Sequence, residues 1–161
     1  MGVYVFDTNV IISLGWQSYP ADRFPRVHAW VDSMVELGRV ITPTEVRREL
    51  EKHQNEAFAW LKSREARVVQ PHDVNVQLYA RSVIREFEPP EGVEIPERVR
   101  KFIFGADPFV LGLAYVTGAT IVTNETKGGG PANPKIPMIA AARKIESLNF
   151  FELMEKEGVT F

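Results

Sequence analysis

The sequence predicts an α/β domain: a mostly parallel central sheet with helices on both faces, three layers in all. Three observations carry this. The runs Val3–Phe6, Val40-Ile41 and Thr120–Val122 are short and rich in β-branched and aromatic residues, as strands buried on both faces are. The segments between them place apolar residues at helical spacing. Proline, glycine and capping residues punctuate the alternation, so helices follow strands along the whole chain.

Val3–Phe6 is the first strand, and Val10-Ile11-Ile12-Ser13-Leu14 is a short buried helix behind it. A loop with Trp16, Tyr19 and Pro20 follows. Pro25 opens a helix carrying Val27, Trp30, Val31, Met34 and Leu37, and Gly38 closes it. After the strand Val40-Ile41, Thr42-Pro43-Thr44-Glu45 has the form of a capping box, with Thr42 as N-cap, Pro43 first in the helix and Glu45 third. That helix runs to about Lys52, and a second covers Glu56 to Arg64. Val68-Val69 is a minor strand. Asp73 caps a helix that extends through Phe87.

Glu88 to Pro96 holds three prolines and one glycine and reads as a loop or insertion. The basic stretch Arg98 to Lys101 leads from it to Asp107-Pro108. Pro108 opens the apolar helix Phe109 to Val116, ended by Gly118, before the strand Thr120–Val122. A glycine- and proline-rich loop spans Thr126 to Pro137. A helix near Ile136 to Lys144, a weak strand at Ile145–Leu148 and a helix around Phe150 to Lys156 complete a single domain, residues 1–161, with no internal repeat.

Composition narrows the functional classes. The net charge of -2 argues against a globally basic nucleic-acid binder, and the ordinary apolar content argues against disorder. The absence of cysteine removes disulfides, thiolate zinc sites and cysteine nucleophiles. No apolar run approaches the roughly 18 to 20 residues of a membrane span, and no signal pattern precedes the first strand. A soluble, cytoplasmic protein is expected.

Asp7 ends the first strand, where open α/β sheets place their ligands. Burying a carboxylate there is costly without a compensating cation, so Asp7 is either a helix cap or part of a site for a metal or phosphate-bearing substrate. Asp107 precedes Pro108 at a helix start; an N-cap role and a cleft-facing role can coexist. Glu125 follows the strand Thr120–Val122 by three residues. Glu45 has a local role in the capping box, whereas Glu49, one turn on beside Val46 and Leu50, borders the apolar face. Glu49 is therefore preferred as the fourth acid. Strand ends and helix N-termini gather on one edge of a parallel sheet, so all four acids can converge.

Phe6-Asp7-Thr8-Asn9-Val10-Ile11, Val46-Arg47-Arg48-Glu49-Leu50, Ala106-Asp107-Pro108-Phe109 and Val122-Thr123-Asn124-Glu125 resemble, in order, the four acidic signatures of PIN domains. The resemblance covers nearly the whole chain. Asn133-Pro134-Lys135-Ile136-Pro137 and the Tyr19-Pro20 to Phe24-Pro25 region look like a PIN-like subfamily related to VapC-type toxins. PIN domains usually carry Asp at the fourth position, where this chain has Glu125.

The resemblance implies a PIN-like fold and a metal-dependent endoribonuclease, with Asp7, Glu49, Asp107 and Glu125 as metal-binding and catalytic residues. Carboxylates without cysteine favour Mg²⁺ or Mn²⁺. Thr8, Asn9, Thr123 and Asn124 would orient the carboxylates and waters, or else serve as turn residues. Because the net charge is slightly negative, RNA contact must be local: Arg98, Arg100, Lys101, Lys127 and Lys135 flank the acids in sequence, with Lys135 the most constrained. Trp16, Tyr19 and Phe24 suit base stacking or, preferentially, core or dimer packing. The resemblance also implies a homodimer and an antitoxin partner that masks the cleft.

Other classes fit less well. A phosphatase of the haloacid dehalogenase type needs a second Asp where Asn9 stands. Gly128-Gly129-Gly130 lacks the Gly-Lys-Ser/Thr ending of a phosphate-binding loop. A receiver domain would want an acidic pair near the start, and His28, His53 and His72 show no ligand spacing. The alternative to an enzyme is a catalytically weakened PIN fold kept as an RNA- or protein-binding module.

Overall fold

The computed structural model describes residues 1–161. Its strands are β1 (Tyr4–Phe6), β2 (Val40–Pro43), β3 (Val69–Gln70), β4 (Thr120–Val122) and β5 (Ser147–Leu148), in the order β3-β2-β1-β4-β5. Every pairing is parallel, with Val5 opposite Ile41 on one side and Ile121 on the other. All three residues of β1 and Val40, Ile121 and Val122 beside them are fully buried, which is why the sequence pattern there is continuously apolar rather than alternating.

The helices are α1 (Thr8–Gly15), α2 (Pro25–Glu36), α3 (Thr44–Glu51), α4 (Glu56–Lys62), α5 (Glu65–Val68), α6 (Val74–Phe87), α7 (Glu97–Phe104), α8 (Asp107–Thr117), α9 (Ile136–Ala142) and α10 (Phe150–Lys156). From β1 the chain steps outward through β2 to β3, then crosses back to β4 and β5 on the far side of β1. Right-handed crossovers in opposite directions place α1 to α5 on one face and α6 to α9 on the other. The expected PIN-like α/β fold is the one found. The reversal of direction opens a crevice beyond the carboxyl ends of β1 and β4. No helix is long and apolar enough to cross a membrane.

Local structure departs from the sequence expectations in three places. The capping box at Thr42 does not form. Thr42 lies within β2, fully buried, and its hydroxyl donates to the Phe6 carbonyl at 2.7 Å, tying β2 to β1. Helix α3 then starts at Thr44, with Pro43 at its N-cap and no side-chain cap. Asp107 is not the N-cap of α8 either. Ala106 holds that position, and Asp107 is the first helical residue. Finally, Arg98 to Lys101 lies on a helix, α7, whose buried Val99, Phe102 and Ile103 follow a helical spacing that the preceding prolines obscure.

The aromatic residues near the first loop serve packing. Tyr19 meets Phe24 edge-on at 5.3 Å and Phe150 at 5.1 Å, while Phe150 also packs on Phe6 and Trp30. Trp16 stays outside this cluster and is exposed. At the amino ends of the strands, Glu157 accepts from the Tyr4 hydroxyl at 2.5 Å and from Arg39 at 2.8 Å, fastening the C-terminal segment to β1.

Helix α8, which carries Asp107, is seated by close packing on α6. A β-carbon at Gly112 would stand 2.7 Å from the carbonyl oxygen of Val76, a backbone atom with no freedom to swing aside. Gly112→Ala should therefore destabilise the fold by about 1–3 kcal/mol, as overpacking does. The check is urea unfolding, where the midpoint should fall at unchanged slope. A wild-type midpoint would mean that α8 can shift freely on α6.

Candidate metal centre

Asp7 leaves β1 at the crevice, with its amide donating to the Val122 carbonyl at 3.0 Å and its own carbonyl receiving the amides of Val10 and Ile11. It is only 3% exposed. One carboxylate oxygen accepts from the Thr8 amide at 2.8 Å and the other from the Thr123 hydroxyl at 2.8 Å. Each oxygen keeps further lone pairs, so capping α1 and facing the crevice coexist, as the sequence allowed.

Asp107 arrives from the opposite direction at the start of α8. Because Ala106 takes the cap position, the Asp107 carboxylate is free of capping. Glu125 reaches in from the loop after β4, its Oε2 held by the Ile136 amide at 2.8 Å. Asp7, Asp107 and Glu125 each offer a carboxylate oxygen, and these atoms all lie within 4.8 Å of one another. The longer arm of Glu, where PIN domains usually have Asp, spans the distance.

Glu49 stands beside this trio with both oxygens engaged. Oε2 accepts from the Thr8 hydroxyl at 2.7 Å and Oε1 from the Ala106 amide at 2.8 Å. It thereby links the residue after Asp7 to the residue before Asp107. Glu45 is elsewhere: its carboxylate accepts from the Thr44 hydroxyl at 3.1 Å and lies 3.9 Å from the ring of His72.

The polar residues flanking the acids form one network. The Thr123 hydroxyl donates to Asp7 and accepts from the Glu125 amide at 3.2 Å and from Asn9 Nδ2 at 3.3 Å. Asn9 Oδ1 accepts from the Asn124 amide at 2.9 Å. The Asn124 side chain in turn donates to Ser13 at 3.1 Å and accepts from the Phe150 amide at 3.2 Å. Ser13 and the amides of Ala106 and Ile136 escaped sequence reasoning. Backbone donors leave no mark in composition, and the only trace was the rigid Pro134–Pro137 segment.

The cations divide. Lys135 donates to the Thr126 hydroxyl at 2.7 Å, and its charge acts on Glu125. Lys127 is exposed beside the same loop. Arg98, Arg100 and Lys101 lie on the solvent side of α7, where Lys101 pairs with Glu97 at 3.4 Å; none is bonded to an acid of the trio.

Burial and mutual repulsion dominate the electrostatics. Burial, then the charge of Glu125, raises Asp7 to about 7, against the pull of the Thr123 and Thr8 hydrogen bonds. Burial raises Asp107 well above its ordinary value, and the charges of Asp7, Glu125 and Glu49 add to it. Glu125 is raised by burial, although the Ile136 amide and Lys135 oppose the shift. Three oxygen donors of one sign, that of Asp7 buried and those of Asp107 and Glu125 half-buried, match the donor set of a hard divalent cation.

A stability prediction follows for the metal-free protein. Folded Asp7 holds its proton up to about pH 7, against an ordinary value of 3.8, so protonation favours the folded state. This contribution is fully present below about pH 4 and is lost as pH rises through 7. Thermal melts in chelator should show it, and Asp7→Asn should flatten the decline. Identical pH slopes in wild type and variant would contradict the arrangement.

The comparisons with known proteins agree with the fold. The crystal structure of VapBC2 from Rickettsia felis bound to a DNA fragment from their promoter aligns with a TM-score of 0.53 at 15% identity, covering 92% of this chain and 98% of that one. The structure of VapBC-1 from nontypeable Haemophilus influenzae aligns at 0.51 and 14% identity, again over 92% and 98%. At such identities the likeness shows a shared architecture. No curated protein matches the chain. The model of the family described as a domain of unknown function, DUF4411, matches residues 4–161. The chain belongs to the DUF4411 family.

Proposed function

We propose that the protein is a metal-dependent endoribonuclease that hydrolyses RNA phosphodiester bonds and acts as the toxin of a toxin–antitoxin pair. The observation that carries this reading is the convergence of Asp7, Asp107 and Glu125, within 4.8 Å and without a neutralising side chain among them, at the crevice where this topology receives ligands. The resemblance to PIN domains over the four acidic segments and the likeness to VapBC structures support it.

In this reading Asp7, Asp107 and Glu125 hold Mg²⁺ or Mn²⁺. When bound, the ion would supply Lewis-acid charge beside the scissile phosphate and ease deprotonation of the water that attacks it. Thr123, fixed by Asn9 and the Glu125 amide, holds Asp7 in one orientation. Glu49 spaces the Asp7 and Asp107 corners through Thr8 and Ala106; its carboxylate is the fourth acid that the PIN signatures assign to the site. Lys135 and Lys127 neutralise phosphates on the Glu125 side. The VapBC likeness supports an antitoxin that covers the crevice, and the PIN resemblance supports a homodimer.

The direct test is cleavage of RNA with Mg²⁺ or Mn²⁺ against a chelated control. Asp7→Asn and Asp107→Asn should each abolish it while leaving the circular dichroism unchanged. Mn²⁺ should also raise the melting temperature, since binding to the folded state alone contributes about 2.7 kcal/mol at a hundredfold excess over Kd. The rise should shrink near pH 5, where protons compete for the same oxygens. A melting curve indifferent to millimolar Mn²⁺ would favour a binding module over an enzyme.

Glu45 and Glu49 separate in a second experiment. Glu49→Gln loses an acceptor and should lower metal affinity and activity by about 10–100-fold. Glu45→Gln should leave both within a few fold, because Glu45 bonds only Thr44 and lies beside His72. The reverse pattern would move the site to Glu45.

A further inference from the structure

We propose that a trench leading from Glu125 along the outer edge of β5 cradles one unpaired nucleotide of the RNA strand. Its phosphate lies against Lys127 and its base against Pro137, Met138 and Ile145. The inference rests on the ribonuclease reading and adds the form in which the substrate enters.

Two adjoining cavities make the trench. The first, about 500 Å³, is lined by Thr123, Asn124 and Glu125, so Glu125 belongs both to it and to the acidic trio. The second, about 560 Å³, is walled by Pro137, Met138, Ala141 and Ile145 and by the backbone of Gly128 and Gly129. Both volumes fall in the roughly 300–1,000 Å³ range of ligand clefts. Lys127, Pro137 and Ser147 line both, which joins them end to end. The outer edge of β5 is open because this strand pairs with β4 alone.

The chemistry runs in a fixed order along the trench: carboxylates, then a cation, then an apolar recess. The exposed Lys127 suits a phosphate next to the one being cleaved, since a compact ammonium binds phosphate as a point charge. The recess beyond offers a thioether, a proline ring and a branched side chain. These apolar surfaces pack against the flat face of a base of any identity, without the aromatic platform on which bases stack elsewhere. A base still paired in a duplex cannot enter, because it must first be turned out of its stack.

The loop that forms one wall is built to stay in place. Gly130 and Asn133 exchange backbone hydrogen bonds at 3.1 and 3.0 Å. Gly129, at φ +97, lies so close that a β-carbon would meet the Asn133 carbonyl at 2.6 Å and the Lys135 side chain at 3.2 Å. Lys135 is thus held against Thr126 while Lys127 remains available. Glu152 also lines the first cavity, but its carboxylate accepts from the Asn149 amide at 3.2 Å in the cap of α10.

Fluorescence anisotropy on full-length protein carrying Asp107→Asn, in chelator, tests this without any cleavage. A short single-stranded RNA should bind more tightly than the same sequence in a duplex. Ala141→Phe, at an exposed position on the recess wall, and Met138→Glu should each weaken single-strand binding about tenfold, the scale of losing one stacked base. Neither should change duplex binding. Lys127→Gln should lower the salt slope for the single strand by about 0.7. Single-strand affinity unchanged in both recess variants, with wild-type melting curves, overturns the cradle while leaving metal-dependent cleavage by the wild type standing. Absence of both RNA binding and cleavage removes the ribonuclease reading and the cradle with it.

Discussion

Gathering three carboxylates within 4.8 Å of one another in a partly buried crevice is unfavourable, and much of this structure is arranged to hold them there. The partners that fix them are neutral. Asp7 is held by a hydroxyl and an amide, and Glu125 by an amide. Neutral donors set direction and leave the negative charge in place. A lysine or arginine inside the trio would have relieved the repulsion.

The opposite end of β1 shows the contrasting solution. Three residues before Asp7, Tyr4 donates to Glu157, and Arg39 pairs with the same carboxylate at 2.8 Å. The Arg39 hydrogen bond, aided by Tyr4, holds Glu157 below its ordinary value, whereas burial and repulsion raise Asp7 to about 7. One strand therefore carries at one end an acid paired with a cation and at the other an acid held by neutral donors. Perturbed carboxylates of the second kind cluster at functional sites.

Topology brings the trio together. β1 and β4 are neighbours although more than a hundred residues separate them in sequence, and the crossover on which α8 lies returns Asp107 to the same edge. Glu49, on a helix of the other layer, bonds to residues adjacent to Asp7 and Asp107 and so couples the two faces of the sheet at the crevice. A shift of α8 would be felt through this link.

The strand-helix alternation and the parallel sheet were legible in the sequence because each is written in local pattern, and the four acidic segments stood out through their resemblance to PIN domains. Buried parallel strands read as apolar runs, and acids that follow strands stand out against them. The sequence also placed Asp7, Asp73 and the last helix correctly. Which acids meet was settled by the fold, since that depends on side-chain reach across elements distant in sequence. It moved Thr42 from a helix cap into the sheet, where the neighbouring Phe6 carbonyl offered a better-placed acceptor. It gave the cap before α8 to Ala106, which freed Asp107. It set Glu49 into a bridge between two backbone corners and anchored Glu125 on the Ile136 amide. Those partners are main-chain groups, common to every residue, so no sequence could have announced them.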